Sequence, residues 1–300
     1  MSTFLSSPRS LHEATLAIVG LGLMGGSLAL ALRQTGACRR ILGITRNPAT
    51  RAQAVARGAV DKASGDLALV AEADVIVLAT PVRTILEQLP RVGAMARQGA
   101  IVMDLGSTKR VITRAMEGLP AHVEPIGAHP MCGKERSGFN AADADLYRGA
   151  VFVLTPLART SPEALACAEA LATAVGARPL VLDPVRHDRI VALISHLPVA
   201  VACALMITAD EFARVDEMVY PLAATGFRDT SRLAASDTTM MLDILMTNRD
   251  PVVQALRIYA QHLAELADRI VANDEVGLRD LLERAASKRR ALSQAQRTAR

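Results

Sequence analysis

Tryptophan is absent from this chain of 300 residues and aromatic residues make up only 3% of it, so it has little material for the exposed rings on which single-stranded bases stack. The four cysteines, Cys38, Cys132, Cys167 and Cys203, are widely spaced without a Cys-x-x-Cys pair. That spacing argues against a zinc site and a disulfide scaffold, and fits reduced thiols in a cytoplasmic protein. The longest uncharged runs are 15–32 and 190–209; the first is crowded with glycine and the second holds Ser195, His196 and Pro198, so neither reads as a membrane span. Repeats, low-complexity blocks and long linkers are missing. Excess charge is small: 34 basic against 30 acidic residues gives +4. Lys288, Arg289, Arg290, Arg297 and Arg300 concentrate it at the end, which reads as a solvated basic tail because no basic stripe recurs along an ordered helix.

What the chain does have is apolar matter for a large core. Hydrophobic residues are 51% and charged residues 21%, and the length predicts two domains. Between Leu16 and about Pro184, short apolar runs alternate with helix-like stretches. The expected strands are 16–21, 41–45, 74–80, 100–105, 124–128, 151–155 and 179–182, the pattern of a parallel sheet covered on both faces. After Asp183 the strands stop; Asp183 can cap, and Pro184 can open, the first of a series of helices. The expected architecture is therefore α/β, a doubly wound Rossmann-like domain over 1–183, followed by an all-helical domain over 184–300. Val253, Leu256, Ala260, Leu263, Ala267 and Ile270 recur every three or four residues, a narrow seam suited to helix against helix. Together with the apolar 190–209 run, it predicts a homodimer.

The segment LAIVGLGLMGGSLALAL carries Gly20, Gly22 and Gly25 as GxGxxG, after an expected strand and opening an expected helix. Gly20 would permit the tight turn, Gly22 the approach of a pyrophosphate and Gly25 close helix–strand packing, with the helix amino end facing the phosphates. A nicotinamide dinucleotide is the expected cofactor, held by Gly20, Gly22, Leu23, Met24 and Gly25, with Thr80 and Pro81 at the edge of the DVIVLATP strand. An NAD enzyme commonly carries an acid at the end of the second strand. Here that place reads Thr45-Arg46-Asn47. A hydroxyl and a guanidinium suit a 2′-phosphate that a carboxylate would repel, so NADP is preferred and NAD is the alternative.

Ser107 follows AIVMDLG and His129 follows EPIGA, both at strand carboxyl ends, where open α/β sheets bind ligands. His187 and His196 lie nine positions apart on one expected helix, which puts them on opposite faces and argues against a shared metal. No metal is expected. The set GLGLMGGSLALAL, VMDLGSTK, GAHPMCGKERSG, HDRIVALISHLP and GFRDTSR, in this order, resembles the prephenate and arogenate dehydrogenase family of tyrosine biosynthesis over about residues 15–285. The resemblance implies oxidative decarboxylation of a cyclohexadienyl substrate. Hydride leaves the ring carbon bearing the hydroxyl, a base takes that hydroxyl's proton, and carbon dioxide departs as the ring aromatises.

By the same resemblance His129 is the catalytic base and Ser107 its hydrogen-bonding partner. Arg232 binds the substrate carboxylate, Glu135 gates the pocket and His196 lies at the substrate. Prephenate-type members often read HLPH, whereas this chain has Val199 in the last place. Val199, GFRDTSR and Thr45-Arg46 look more like the NADP-linked arogenate enzymes, with NAD-linked prephenate dehydrogenase as the alternative. β-Hydroxyacid dehydrogenases share GLGxMG but normally carry a glycine-rich stretch leading to a catalytic lysine. Here the first lysine after Lys134 is Lys288. A nucleotide-sensing protein without turnover would have no use for Ser107 and His129. Nucleic acid and membrane partners are not expected.

Overall fold

The computed structural model describes residues 10–134 and 136–298. Short apolar runs form β1 (Thr15–Val19), β2 (Arg40–Ile44), β3 (Lys62–Ser64), β4 (Val75–Leu78), β5 (Ile101–Asp104), β6 (Glu124–Pro130), β7 (Val151–Pro156) and β8 (Arg178–Val181). They build one eight-stranded sheet ordered β3-β2-β1-β4-β5-β6-β7-β8. All neighbours are parallel except β6 with β7. That pair corrects the expectation of a wholly parallel sheet. Among the described residues its connection holds the 3-10 turn Phe139–Ala141 and no crossover helix to carry the chain back to the starting edge. Strand β3 was not expected at all: Lys-Ala-Ser is short and partly exposed, with no apolar run to announce it.

Alternation along the central strands sends side chains to two cores. Leu16 and Ile18 pack with Leu28 and Leu32 of α1 (Leu23–Thr35), while Ala17 and Val19 face the opposite cluster. Beyond α2 (Pro48–Ala56), that second cluster takes Ile85, Leu89 and Val92 from α3 (Val82–Met95) and Ile112 and Met116 from α4 (Arg110–Glu117). Helix α5 (Pro162–Ala174) returns to the first face with Ala164, Ala168 and Leu171. Central strands covered twice must be apolar on both sides, and all five residues of β1 are buried.

From Asp183 onward the described chain is helical apart from its connections. Asp183 accepts from the Arg186 amide and Pro184 begins α6 (Pro184–Val191), as the sequence suggests. A π turn, Ala192–His196, joins α6 to α7 (Leu197–Ala213). The combined run Pro184–Ala213 is long and apolar enough to cross a membrane by composition, yet its buried His187, Asp188 and His196 engage polar partners within the protein. Helices α8 (Thr225–Ser231) and α9 (Thr238–Thr247) follow, and Asp243 of α9 accepts from the Arg83 amide at the start of α3.

Compact packing divides the chain after Arg249, and from Asp250 a second unit holds most of α10 (Arg249–Val271) and all of α11 (Glu275–Thr298). In this unit Val253, Leu256, Leu263 and Ile270 of the seam are exposed. The basic run around Lys288–Arg290 belongs to α11, so it is helical rather than an extended tail.

Candidate active site

The nucleotide turn connects β1 to α1 beside β4, where the strand order reverses. Gly20 adopts φ +100°, and a Cβ there would meet the Ala79 carbonyl oxygen at 2.7 Å. A Cβ on Gly25 would stand 1.9 Å from the Gly20 carbonyl oxygen, whereas nothing lies within 4 Å of the place where Gly22 would carry one. The turn is therefore closed beneath Gly20 and Gly25 and open above Gly22, a cradle that fits a pyrophosphate. Leu23 and Met24 form the first turn of α1, and the Tyr147 hydroxyl pins it by donating to the Met24 carbonyl at 2.7 Å. Thr80 lies against Gly20 and donates to Gln88 at 2.9 Å, and Pro81 caps α3.

At the end of β2, the Arg51 guanidinium donates to the carbonyls of Thr45 and Arg46 at 2.9 and 2.8 Å. It braces the loop by its backbone and leaves the exposed Arg46 side chain without a partner among the described residues.

A second cluster sits at the carboxyl ends of β5 and β6. Asp104 and Lys109 form an ion pair with no solvent exposure. The Asp104 carboxylate accepts from the Gly106 and Ala128 amides at 2.7 and 3.0 Å, and Lys109 Nζ donates to the Ala128 carbonyl at 2.6 Å. Gly106 precedes Ser107 and Ala128 precedes His129, so one buried pair fixes the backbone entering both candidate catalytic residues. Burial pushes the Asp104 carboxyl up and the Lys109 amine down, each opposed by its partner.

The helical region adds what the sequence reading missed. Asp188 of α6 accepts from the Lys109 and Arg110 amides at 2.7 and 2.9 Å, capping α4, and from His187 Nδ1 at 2.8 Å. His187 Nε2 in turn lies 2.9 Å from His129 Nδ1, the rings meeting edge-on at 75°. Asn248 donates to the Asp188 carbonyl at 2.7 Å and lies 3.2 Å from His196 Nδ1. The sequence signal was the His-Asp dipeptide just inside a capped helix, to which no role had been given.

The expected opposition of His187 and His196 is also corrected. A π turn takes up one more residue than an α turn, so nine positions act as eight and the two lie about 80° apart rather than 180°. Both side chains are buried, and His187 and His196 both bear electrostatically on His129. Desolvation, then His187, Lys109 and His196, hold the His129 pKa well below its ordinary value. Burial takes His196 down to about 4 against the Asp188 charge.

His129 lies one residue inside the end of β6, and Ser107 follows the neighbouring β5, half-buried and without a hydrogen bond to His129. Arg232 is exposed at the start of a 3-10 turn packed on α7. Glu135 lies outside the described residues.

A doubly wound sheet with an open glycine cradle at its reversal, and a histidine whose charged form desolvation disfavours further along the same strand ends, is the arrangement of a nicotinamide-dependent oxidoreductase. The chain belongs to the prephenate dehydrogenase family: residues 28–181 match the family's nucleotide-binding domain and residues 183–284 its dimerization domain. A prephenate dehydrogenase of Lactococcus lactis is 32% identical over 92% of this chain and 76% of its own length. The A. aeolicus prephenate dehydrogenase, solved with hydroxyphenyl propionate and NAD+, superposes with TM-score 0.87 at 32% identity over 95% of this chain and all of that one. Arogenate dehydrogenase from Synechocystis gives TM-score 0.81 at 34% identity over 93% of this chain and 99% of its own. Likeness to a 3-hydroxyisobutyrate dehydrogenase, at TM-score 0.55 and 17% identity, reflects the shared fold alone.

Proposed function

We propose that this enzyme is an NADP-linked arogenate dehydrogenase, oxidatively decarboxylating its substrate in tyrosine biosynthesis, with His129 as the base. The observation that carries the reading is the place of His129 at the strand ends, engaged through Nδ1 so that Nε2 is available to take the ring-hydroxyl proton, with desolvation holding its pKa well below the ordinary value. Ser107 orients that hydroxyl from the adjacent strand end. Arg232 supplies the fixed cation that a carboxylate requires on leaving water, and His196 and Glu135 complete the substrate side. NADP when bound supplies the hydride acceptor. Gly20, Gly22, Leu23, Met24 and Gly25 hold its pyrophosphate, with Thr80 and Pro81 alongside, while Thr45 and Arg46 hold the 2′-phosphate.

The preference for NADP rests on an Arg46 side chain without a partner among the described residues and on the Thr45-Arg46-Asn47 sequence, which holds no carboxylate, and the preference for arogenate rests on Val199. A second reading, prephenate dehydrogenase using NAD, is favoured by the A. aeolicus structure with NAD+. Functionally the chain divides at 183/184, dinucleotide binding before it and substrate binding and homodimerisation after it. The exposed seam on α10 supports the dimer, and four free cysteines accord with a cytoplasmic setting.

The deciding experiment is kcat/KM for arogenate and prephenate, each with NAD and NADP, repeated with Arg46→Ala. The expected result is NADP favoured by at least about tenfold, as a charge-assisted phosphate contact implies, with the margin lost in the variant. Equal use of both cofactors by the unaltered enzyme refutes the NADP assignment.

A further inference from the structure

We propose that His187 and Asp188 act as positioning residues that dictate which nitrogen of His129 carries the proton, leaving Nε2 bare for the substrate. The inference rests on the reading of His129 as the base and deepens it. Its logic follows from hydrogen-bond valence. Ionised, Asp188 only accepts, and its two oxygens are already oriented by the Lys109 and Arg110 amides at 2.7 and 2.9 Å. The 2.8 Å contact to His187 Nδ1 is then a hydrogen bond only if that nitrogen bears hydrogen. In a neutral His187, Nε2 is consequently a lone pair. The proton in the 2.9 Å contact between the rings must therefore come from His129 Nδ1, and His129 Nε2 is left unprotonated.

The alternative, a doubly protonated His187 paired with Asp188, would donate from Nε2 and leave His129 with its proton on Nε2, the outcome that the tautomer measurement below separates from the one proposed. Asp188 cannot rotate away to allow other arrangements. It caps α4 through two amides, and Asn248 ties its own carbonyl at 2.7 Å. When His129 accepts the hydroxyl proton at Nε2, its Nδ1–H remains donated to His187, and the new positive charge faces a ring backed by a carboxylate. The arrangement is an Asp–His pair extended by one further imidazole, and it uses the logic by which a carboxylate fixes a catalytic histidine.

Ring 15N–1H correlation spectra of the apoenzyme test this directly, since two-bond couplings distinguish the tautomers. The chain has six histidines, and the His129 signal is assigned by its loss in His129→Asn. The expected tautomer is Nδ1–H. His187→Leu should convert His129 to Nε2–H and lower kcat roughly 10²- to 10⁴-fold with KM little changed. His187→Gln, whose amide oxygen can accept in place of Nε2, should restore the Nδ1–H form and much of the rate. Combining His187→Leu with His129→Asn should cost little more than His129→Asn alone.

An Nε2–H tautomer in the unaltered enzyme, or an unchanged tautomer in His187→Leu, overturns the proposal. The unaltered spectrum and His187→Gln keep the test decisive should His187→Leu fold poorly. Near-normal kcat in His129→Asn would instead remove His129 as base without touching the tautomer result, so the two failures are distinguishable.

Discussion

The glycines of the nucleotide turn are predicted to separate by what their substitution damages. Gly25→Ala drives a methyl to 1.9 Å from the Gly20 carbonyl oxygen, with Ile18 Cγ2 at 2.9 Å and Ala79 Cβ at 3.0 Å behind it. None of these is the loose end of a flexible side chain. Strand and helix must part, at a cost of about 1 to 3 kcal/mol or more. For a unit of this size each kcal/mol lowers Tm by about 2 to 4 °C, so apoenzyme Tm should fall by roughly 2 to 12 °C. Gly22→Ala meets nothing within 4 Å and its φ of −85° suits alanine. Its penalty is the weaker N-cap, at most about 1 kcal/mol, partly offset by the stiffer unfolded chain. Its methyl instead fills the space reserved for the pyrophosphate, so dinucleotide affinity should drop at least about tenfold. Thermal unfolding without cofactor, paired with titration calorimetry of NADP and NAD, reads both effects. Normal dinucleotide binding by Gly22→Ala, or an unchanged Tm for Gly25→Ala, would refute the division of roles.

Four further outcomes follow. His129→Asn should lower kcat by roughly 10² to 10⁴ with dinucleotide affinity unchanged, whereas Arg232→Ala should chiefly raise KM; steady-state kinetics separates them. With the His129 pKa held well below 6.5, the acid limb of kcat should lie below that value, and a limb at or above 6.5 contradicts the burial argument. For stability the sign is that of bases buried neutral: the unfolded chain binds more protons below pH 6.5, so stability is full above it and falls as pH drops. His196, taken down to about 4, alone removes about 3 kcal/mol by that pH, and His129 adds in the same direction, readable by denaturant titration from pH 7 to 4.5. Sedimentation should give a dimer, and a mass near 31.8 kDa at micromolar concentration would contradict the exposed α10 seam as an interface.

Apolar runs such as Leu16–Val19 and Val75–Leu78 were legible because strands buried on both faces leave no polar alternation to confuse the reading. The edge strand Lys62–Ser64 was not, since pairing with β2 rather than composition makes it a strand. The glycine motif was legible for a related reason: Gly20 and Gly25 answer local backbone constraints, visible in the φ of +100° at Gly20 and the 1.9 Å approach at Gly25, while Gly22 leaves open space above the turn. His129 and Ser107 could be placed at strand ends, but the partners of His129 could not. His187 lies 58 positions away, and the face that His196 takes relative to it is set by the π turn between them. Such a turn leaves no periodic mark in a stretch as uniformly apolar as Val191–Ile194, and the α-helical angle alone gave the wrong face.

Placing charge beneath the site is costly, and that cost shows what the cluster is for. A buried Asp–Lys pair is no more stabilising than well-packed apolar residues of similar volume, because each ion loses several kcal/mol of hydration. Asp104 and Lys109 nevertheless have no exposed surface. What they provide is geometry: the carboxylate binds the Gly106 and Ala128 amides and the ammonium binds the Ala128 carbonyl, the residues immediately before Ser107 and His129. Lys109 also begins the turn whose amides Asp188 caps, and the adjacent His187 meets His129 from the other side. The backbone leading into the candidate base and the ring contact behind it are thus tied to a single residue, Lys109. Displacing Lys109 would move the β6 end and the His187–Asp188 pair together, so the position of the His129 ring and the choice of its proton-bearing nitrogen are set by one continuous hydrogen-bonded frame rather than by two independent devices.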